Sequence, residues 1–144
     1  MKYARYIKNG APVFGVIKGE SIYKIDGDIY GDFTVTDDCD SFASVKILPP
    51  SVPTKIVAVG KNYLDHINEF GGPVPEAPVL FIKPTSAIIA HDENIVHPDF
   101  SKQVDFECEL AFVVKKTAKN VAAADFAEYV SGYTCLNDVT ARDL

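Results

Sequence analysis

Val104-Asp105-Phe106-Glu107-Cys108-Glu109-Leu110-Ala111-Phe112-Val113-Val114 alternates with the two-residue period of a β-strand. One face carries Phe106, Cys108, Leu110, Phe112 and Val114, a continuous apolar stripe. The other carries Asp105, Glu107 and Glu109 and then turns apolar at Ala111 and Val113, the pattern of acid entering a buried region. Side chains two apart on a strand stand roughly 6.5–7 Å apart at the backbone, within reach of one ion between two flexible carboxylates. Carboxylates held that close repel unless a cation or water screens them. The plain alternative is a strand with a wet, acidic outer face.

The rest of the composition narrows the class of protein. A chain of 144 residues is about one average domain and long enough for a core. Fourteen Lys and Arg stand against 20 Asp and Glu, a formal net charge of −6 with no basic cluster, which argues against a nucleic-acid partner. The three cysteines, Cys39, Cys108 and Cys135, show no paired metal-ligand spacing. Their odd number argues for a reducing compartment rather than a disulfide framework. Cys108, on the apolar face, reads as a plain core thiol. Met1 to Tyr6 lacks the apolar segment of a secretion signal, and no apolar run is long enough to span a bilayer, so a cytoplasmic protein without membrane contact is expected.

Taken from the start, residues 1–48 read as a small β domain. Strands are expected over Lys2–Lys8, Val13–Lys18 and Ser21–Ile25, with a hairpin turn at Asn9-Gly10. Asp37-Asp38-Cys39-Asp40 reads as a solvated loop, without the ligand spacing of a calcium site. Three prolines among Pro49, Pro50 and Pro53 make residues 49–54 a stiff linker. A second domain then occupies 55–144. Lys55–Val59 and Val79–Lys83 read as buried strands, and Leu64–Phe70 as a helix stopped by Gly71-Gly72.

On that helix His66 and Glu69 are three apart and share a face, which suits a general base oriented by a carboxylate or, more plainly, a surface pair. The proline-rich 72–78 segment is either a lid or a surface connection. Lys83 closes an apolar strand, where it snorkels to solvent or points at an anion. His91 and His97 read as structural or exposed. Ala122–Val130 reads as a helix with Phe126 and Val130 on one face, followed by a strand from Tyr133. Asp138 closes that apolar stretch, a costly place for a carboxylate unless it is hydrogen-bonded or binds metal. Arg142 follows.

Three carboxylates, Glu107, Glu109 and Asp138, without a thiolate or histidine pair, favour a hard cation, Mg²⁺ or else Mn²⁺ or Ca²⁺, over zinc. A His66/Glu69 base beside it would make a metal-assisted proton-transfer or hydrolytic site.

Four blocks carry a resemblance. They are Val59-Gly60-Lys61-Asn62-Tyr63-Leu64-Asp65-His66 with Glu69; Leu80-Phe81-Ile82-Lys83-Pro84; Asp105-Phe106-Glu107-Cys108-Glu109-Leu110-Ala111; and Gly132-Tyr133 through Asn137-Asp138-Val139-Thr140-Ala141-Arg142-Asp143-Leu144. In order and separation they resemble the fumarylacetoacetate hydrolase family, in the small form that includes acylpyruvate hydrolases, oxaloacetate decarboxylases and hydroxyheptadienedioate isomerases. The fold this implies is mostly β with short helices (α+β), a mixed β-roll preceded by a small β domain. The resemblance assigns Glu107, Glu109 and Asp138 to the metal, His66 and Glu69 to a catalytic dyad, and Lys83 and Arg142 to an anionic substrate. That substrate would be a 2-oxo acid bound as its enolate, undergoing C–C hydrolysis, decarboxylation or keto–enol isomerisation. A homodimer or larger homo-oligomer is expected by the same analogy. Family members continue beyond the arginine block, so the 55–144 domain reads as incomplete, and weak activity or none is expected of the chain alone.

Two other readings fit part of the pattern. Paired carboxylates on one strand face suit a glycosidase. The chain has no Trp to stack a sugar, however, and that reading leaves His66 and Asp138 unexplained. The other is an inactive or partner-dependent metal-binding β module.

Overall fold

Alternation in the first 41 residues produces a meander. The computed structural model describes residues 1–144, in which β1 (Lys2–Lys8), β2 (Ala11–Lys18), β3 (Ser21–Gly27) and β4 (Phe33–Ser41) pair antiparallel in sequence. The two-residue β5 (Ile47–Leu48) adds to the free edge of β1, giving the order β4-β3-β2-β1-β5. Asn9 at φ 51° and Gly10 at φ 80° form the expected turn, both in the left-handed region that a two-residue hairpin loop needs to match strand twist. Ala4, Tyr6 and Ile22 are the buried centre, with Val13, Ile17, Val45 and Ile47 packed around them. Gly15 makes room for this cluster. A Cβ there would lie 2.4 Å from Ile22 Cγ2 and 3.1 Å from the Tyr6 ring.

Asp37–Asp40 lies inside β4 rather than in a loop. The strand continues because β3 pairs with it, Ile22 opposite Asp40, and because Lys8 supplies a counter-charge. Its Nζ sits 2.8 Å from Asp38 and 2.7 Å from Asp40. Those two carboxylates raise the Lys8 ammonium above its ordinary value.

The residues fall into two compact units, Met1–Ser51 with Ala90–Leu144, and Val52–Ile89. Within the first, Lys46 reaches Glu93 at 2.8 Å, and Glu93 also accepts the Ala90 N–H at 2.8 Å. Three carboxyls of this unit titrate below the usual carboxylate range. Asp40 is lowered by Lys8, Glu93 by the Ala90 N–H and Lys46, and Asp143 by the Ser101 hydroxyl and the Lys102 N–H. A carboxyl depressed in the folded state adds stability above its unfolded pKa, about 4, and that share is lost as pH falls through the folded value. The melting midpoint is therefore expected to hold near neutrality and to drop as pH goes below about 4. A midpoint flat from pH 6 to pH 3, read by circular dichroism, would remove these pairs from the list of stabilising contacts.

The second unit pairs β6 (Ile56–Gly60) with β7 (Val79–Lys83), and α1 (Leu64–Phe70) lies between them in sequence. The expected helix is present, ends at Gly71 and buries Ile67. The strands are not the buried pair their composition suggests. Val79, Leu80, Phe81 and Ile82 are all exposed, Ile82 at 71%. Two strands and two turns of helix form too few layers to cover both faces of a ribbon.

The rest of the first unit holds β8 (Val104–Asp105), β9 (Cys108–Val114), the one-turn α2 (Phe126–Tyr129), β10 (Val130–Asn137) and β11 (Thr140–Ala141). The helix expected over 122–130 shrinks to a 3-10 turn and α2. Neither Ala122 nor Asp125 caps it with a side chain, and Val130 is drawn into β10 beside a register shift at Val130/Gly132. No helix is long and apolar enough to cross a membrane.

Candidate active site

The acidic stretch is two strands, not one. Between β8 and β9 the Glu107 N–H donates to the Asn137 side-chain oxygen at 3.0 Å. The Asp138 N–H then donates to the Glu107 carbonyl at 2.8 Å, setting these two residues opposite one another. Beyond them β10 pairs with β9, Leu136 opposite Glu109 and Thr134 opposite Ala111. Thr140 faces Asp105, and the Arg142 N–H reaches the Gln103 carbonyl at 2.9 Å, so the backbone fixes where Arg142 begins.

The faces are distributed by charge in an unexpected way. Glu107, Glu109, Ala111 and Val113 are the half-covered side of the strand, as the acid-to-apolar transition suggested. The apolar stripe is outside: Phe106 is 80% exposed and Leu110 64%. Cys108 is exposed as well, not a core thiol, because it shares that outer face. On β10 Tyr133 and Cys135 continue the same outer face opposite Phe112 and Leu110. The partner near this stripe is Phe126 of α2, edge-on to Phe112 with centroids 5.2 Å apart.

On the covered side Arg142 joins two carboxylates. Its Nε donates to Asp105 at 2.9 Å and its Nη2 to Glu107, and both pairs are more than half covered. Asp105 and then Glu107 hold the guanidinium above its ordinary pKa. Asp105 thus joins Glu107 in holding Arg142. Sequence spacing put it on the right face, but its partner depends on the β8–β11 register. Asp138 is buried, 4% exposed, and its carbonyl accepts the Thr140 hydroxyl at 2.9 Å. Next door Asp143 takes the Ser101 hydroxyl at 2.6 Å and the Lys102 N–H at 2.8 Å, a latch that pins the segment after β11.

Three carboxylates are the right donors for a hard cation. In this arrangement, however, no three acidic, histidine or cysteine groups form a set able to hold an ion. One donor, Glu107, already carries Arg142.

His66, Glu69 and Lys83 belong to the second unit. His66 and Glu69 share a face of α1, the first half-buried with its ring 4.9 Å from Phe70 and the second exposed. Lys83 ends β7, its Nζ 5.9 Å above the Phe81 ring. The hollow of this unit, about 220 Å³, is lined by the end of β6, Leu64, Ile67 and residues 74–79, and His66, Glu69 and Lys83 do not line it. The proline-rich segment thus walls a hollow.

Residues 55–144 match the family described as fumarylacetoacetate (FAA) hydrolase C-terminal, more than half of the chain. The chain belongs to the fumarylacetoacetate hydrolase family. Residues 1–50 of this family member match a second description, Rv2993c-like, N-terminal. Over 97 residues it is 44% identical to the mitochondrial oxaloacetate tautomerase FAHD2A of Bos taurus, covering 67% of this chain and 31% of that protein. The 5-carboxymethyl-2-hydroxymuconate delta-isomerase of Mycobacterium smegmatis superposes with a TM-score of 0.87 at 36% identity, over 99% of this chain and 56% of that one. Maleylpyruvate hydrolase from Sphingobium sp. SYK-6, crystallised with manganese(II) and pyruvate, superposes with a TM-score of 0.74 at 25% identity, over 100% of this chain and 60% of that one. The chain spans about half the length of the solved relatives it matches. Hydrolases, isomerases and a tautomerase are among these relatives, so the family is one of enzymes of this general kind.

Proposed function

We propose that this chain carries the proton-transfer and anion-binding residues of an enzyme that acts on 2-oxo acids by C–C hydrolysis, decarboxylation or keto–enol isomerisation. What supports it most is the acid-bearing hairpin with Arg142 on its covered side, in a family whose relatives are named for such reactions. His66, oriented by Glu69, takes or returns the proton at the carbon next to the carbonyl. Arg142 would hold a substrate carboxylate through its planar fork, and Lys83 offers an ammonium to an anion in its own unit. Glu107, Glu109 and Asp138 are the carboxylates that would hold a divalent ion, Mg²⁺ or Mn²⁺. The working form is a homo-oligomer in the cytoplasm.

The test is exchange of the C3 protons of pyruvate and oxaloacetate with D₂O, followed by NMR with Mg²⁺ and again with EDTA. Exchange above the buffer rate, lost in EDTA, is the expected result. Exchange no faster than buffer for both acids withdraws catalysis from the chain on its own and favours the rival, an inactive or partner-dependent metal-binding β module. That rival draws its support from the exposed Phe106–Leu110 stripe.

A further inference from the structure

The strand pair that leads into Arg142 is too short to set its own register. β8 and β11 share two residues each, Asp105 opposite Thr140 and Val104 opposite Ala141. A ladder that short slips easily, and a slip of one residue turns every side chain to the other face. For Arg142 the consequence would be large. In the observed register its N–H donates to the Gln103 carbonyl at 2.9 Å, and its guanidinium runs along the face to Asp105 at 2.9 Å and on to Glu107. One residue out, it would leave for the side of Val104 and the exposed Phe106, away from both carboxylates.

What holds the register lies one residue further on. Asp143 is exposed, so water could satisfy its carboxylate. Instead one oxygen accepts the hydroxyl of the buried Ser101 at 2.6 Å and the other accepts the Lys102 N–H at 2.8 Å. These bonds carry the pairing past the end of both strands, and an ionised acceptor makes them stronger than the neutral ladder bonds beside them. Gln103 then ties the edge to the guanidinium. Its side-chain amide donates at 3.1 Å to Asp105 Oδ2, the same oxygen that accepts Arg142 Nε. We propose that Asp143, acting through Ser101 and Lys102, is the positioning residue that sets where the Arg142 guanidinium stands. Its consequence for function, weaker anion binding when the latch is cut, rests on the role proposed above for Arg142.

The chain is well suited to a direct test, because Arg5 and Arg142 are its only arginines. In the ¹⁵N-labelled protein, held cold and slightly acidic to slow exchange, the arginine Nε–H region holds two signals, and Arg142→Gln identifies one of them. In Asp143→Ala the Arg142 signal is expected to move and to exchange faster with water, while Arg5 and the circular dichroism stay as they were. Asp143→Asn, which keeps an acceptor for the Ser101 hydroxyl, is expected to fall between Asp143→Ala and wild type. Titration with pyruvate should shift the Arg142 signal saturably, with affinity about tenfold weaker in Asp143→Ala, the scale of one lost charge-assisted hydrogen bond. An Arg142 signal unmoved in folded Asp143→Ala overturns the positioning role. A signal that moves in Asp143→Ala, while pyruvate shifts nothing even in wild type, supports the positioning role and withdraws the anion-binding role of Arg142. If Asp143→Ala does not fold, Ser101→Ala decides alone, and an unmoved Arg142 signal there overturns the proposal.

Discussion

Replacing His66 with Gln is expected to slow C3-proton exchange of a 2-oxo acid by about 10²- to 10⁴-fold, the usual share of a positioned general base. Binding of the anion should change little, because the role proposed for His66 is proton transfer and not anion binding. The loss should therefore appear in kcat rather than KM. Glutamine keeps the polar character of the half-buried position beside Phe70, so the helix is expected to survive. Circular dichroism and the rate measured together make the comparison. An unchanged rate would assign the proton step to another group and release His66 from the dyad.

The largest structural effect is expected at Tyr6. Its side chain is fully buried at the centre of the five-stranded sheet, between Ala4 and Ile22, under the space left by Gly15. Tyr6→Ala removes an aromatic ring from that cluster, a change that costs about 3–5 kcal/mol in well-packed cores. A sheet of this size has little more than that in reserve. Urea unfolding followed by hydrogen exchange should show protection lost across β1 to β3. Tyr6→Phe, which keeps the ring, should retain most of it. Equal losses in both variants would mean that the phenol, not the ring, holds the sheet.

Legibility from sequence followed the range of the interactions. β1, β2, β3 and α1 were readable because alternation, Asn9-Gly10 and Gly71-Gly72 are local signals. The Asp37–Asp40 segment was not, since its strand state depends on Lys8, some thirty positions earlier. The break between β8 and β9 was hidden for the same reason: the Asn137 side chain captures the Glu107 N–H from across the hairpin. Periodicity divided residues 104–114 correctly into two faces, and the Ala111–Val113 end pointed to the covered one. It did not reveal that the apolar stripe with Cys108 would be outside, because burial is decided by what packs against a strand. The carboxylates were recognisable by residue type. That Arg142 would sit on Glu107 depended on the β8–β11 register.

The burial of Tyr6 also decides what light can report about this molecule. With no Trp, its near-ultraviolet signal comes from seven tyrosines, and Tyr6 is the one with no accessible surface, while Tyr3, Tyr30, Tyr63 and Tyr133 are already exposed. A melt followed by tyrosine absorbance or emission is therefore weighted toward the N-terminal sheet, with the half-buried Tyr129 of α2 adding its own share. Tyr63, the tyrosine of the Val52–Ile89 unit, is already 40% exposed, so unfolding of that unit registers more weakly in the optical curve than exposure of Tyr6.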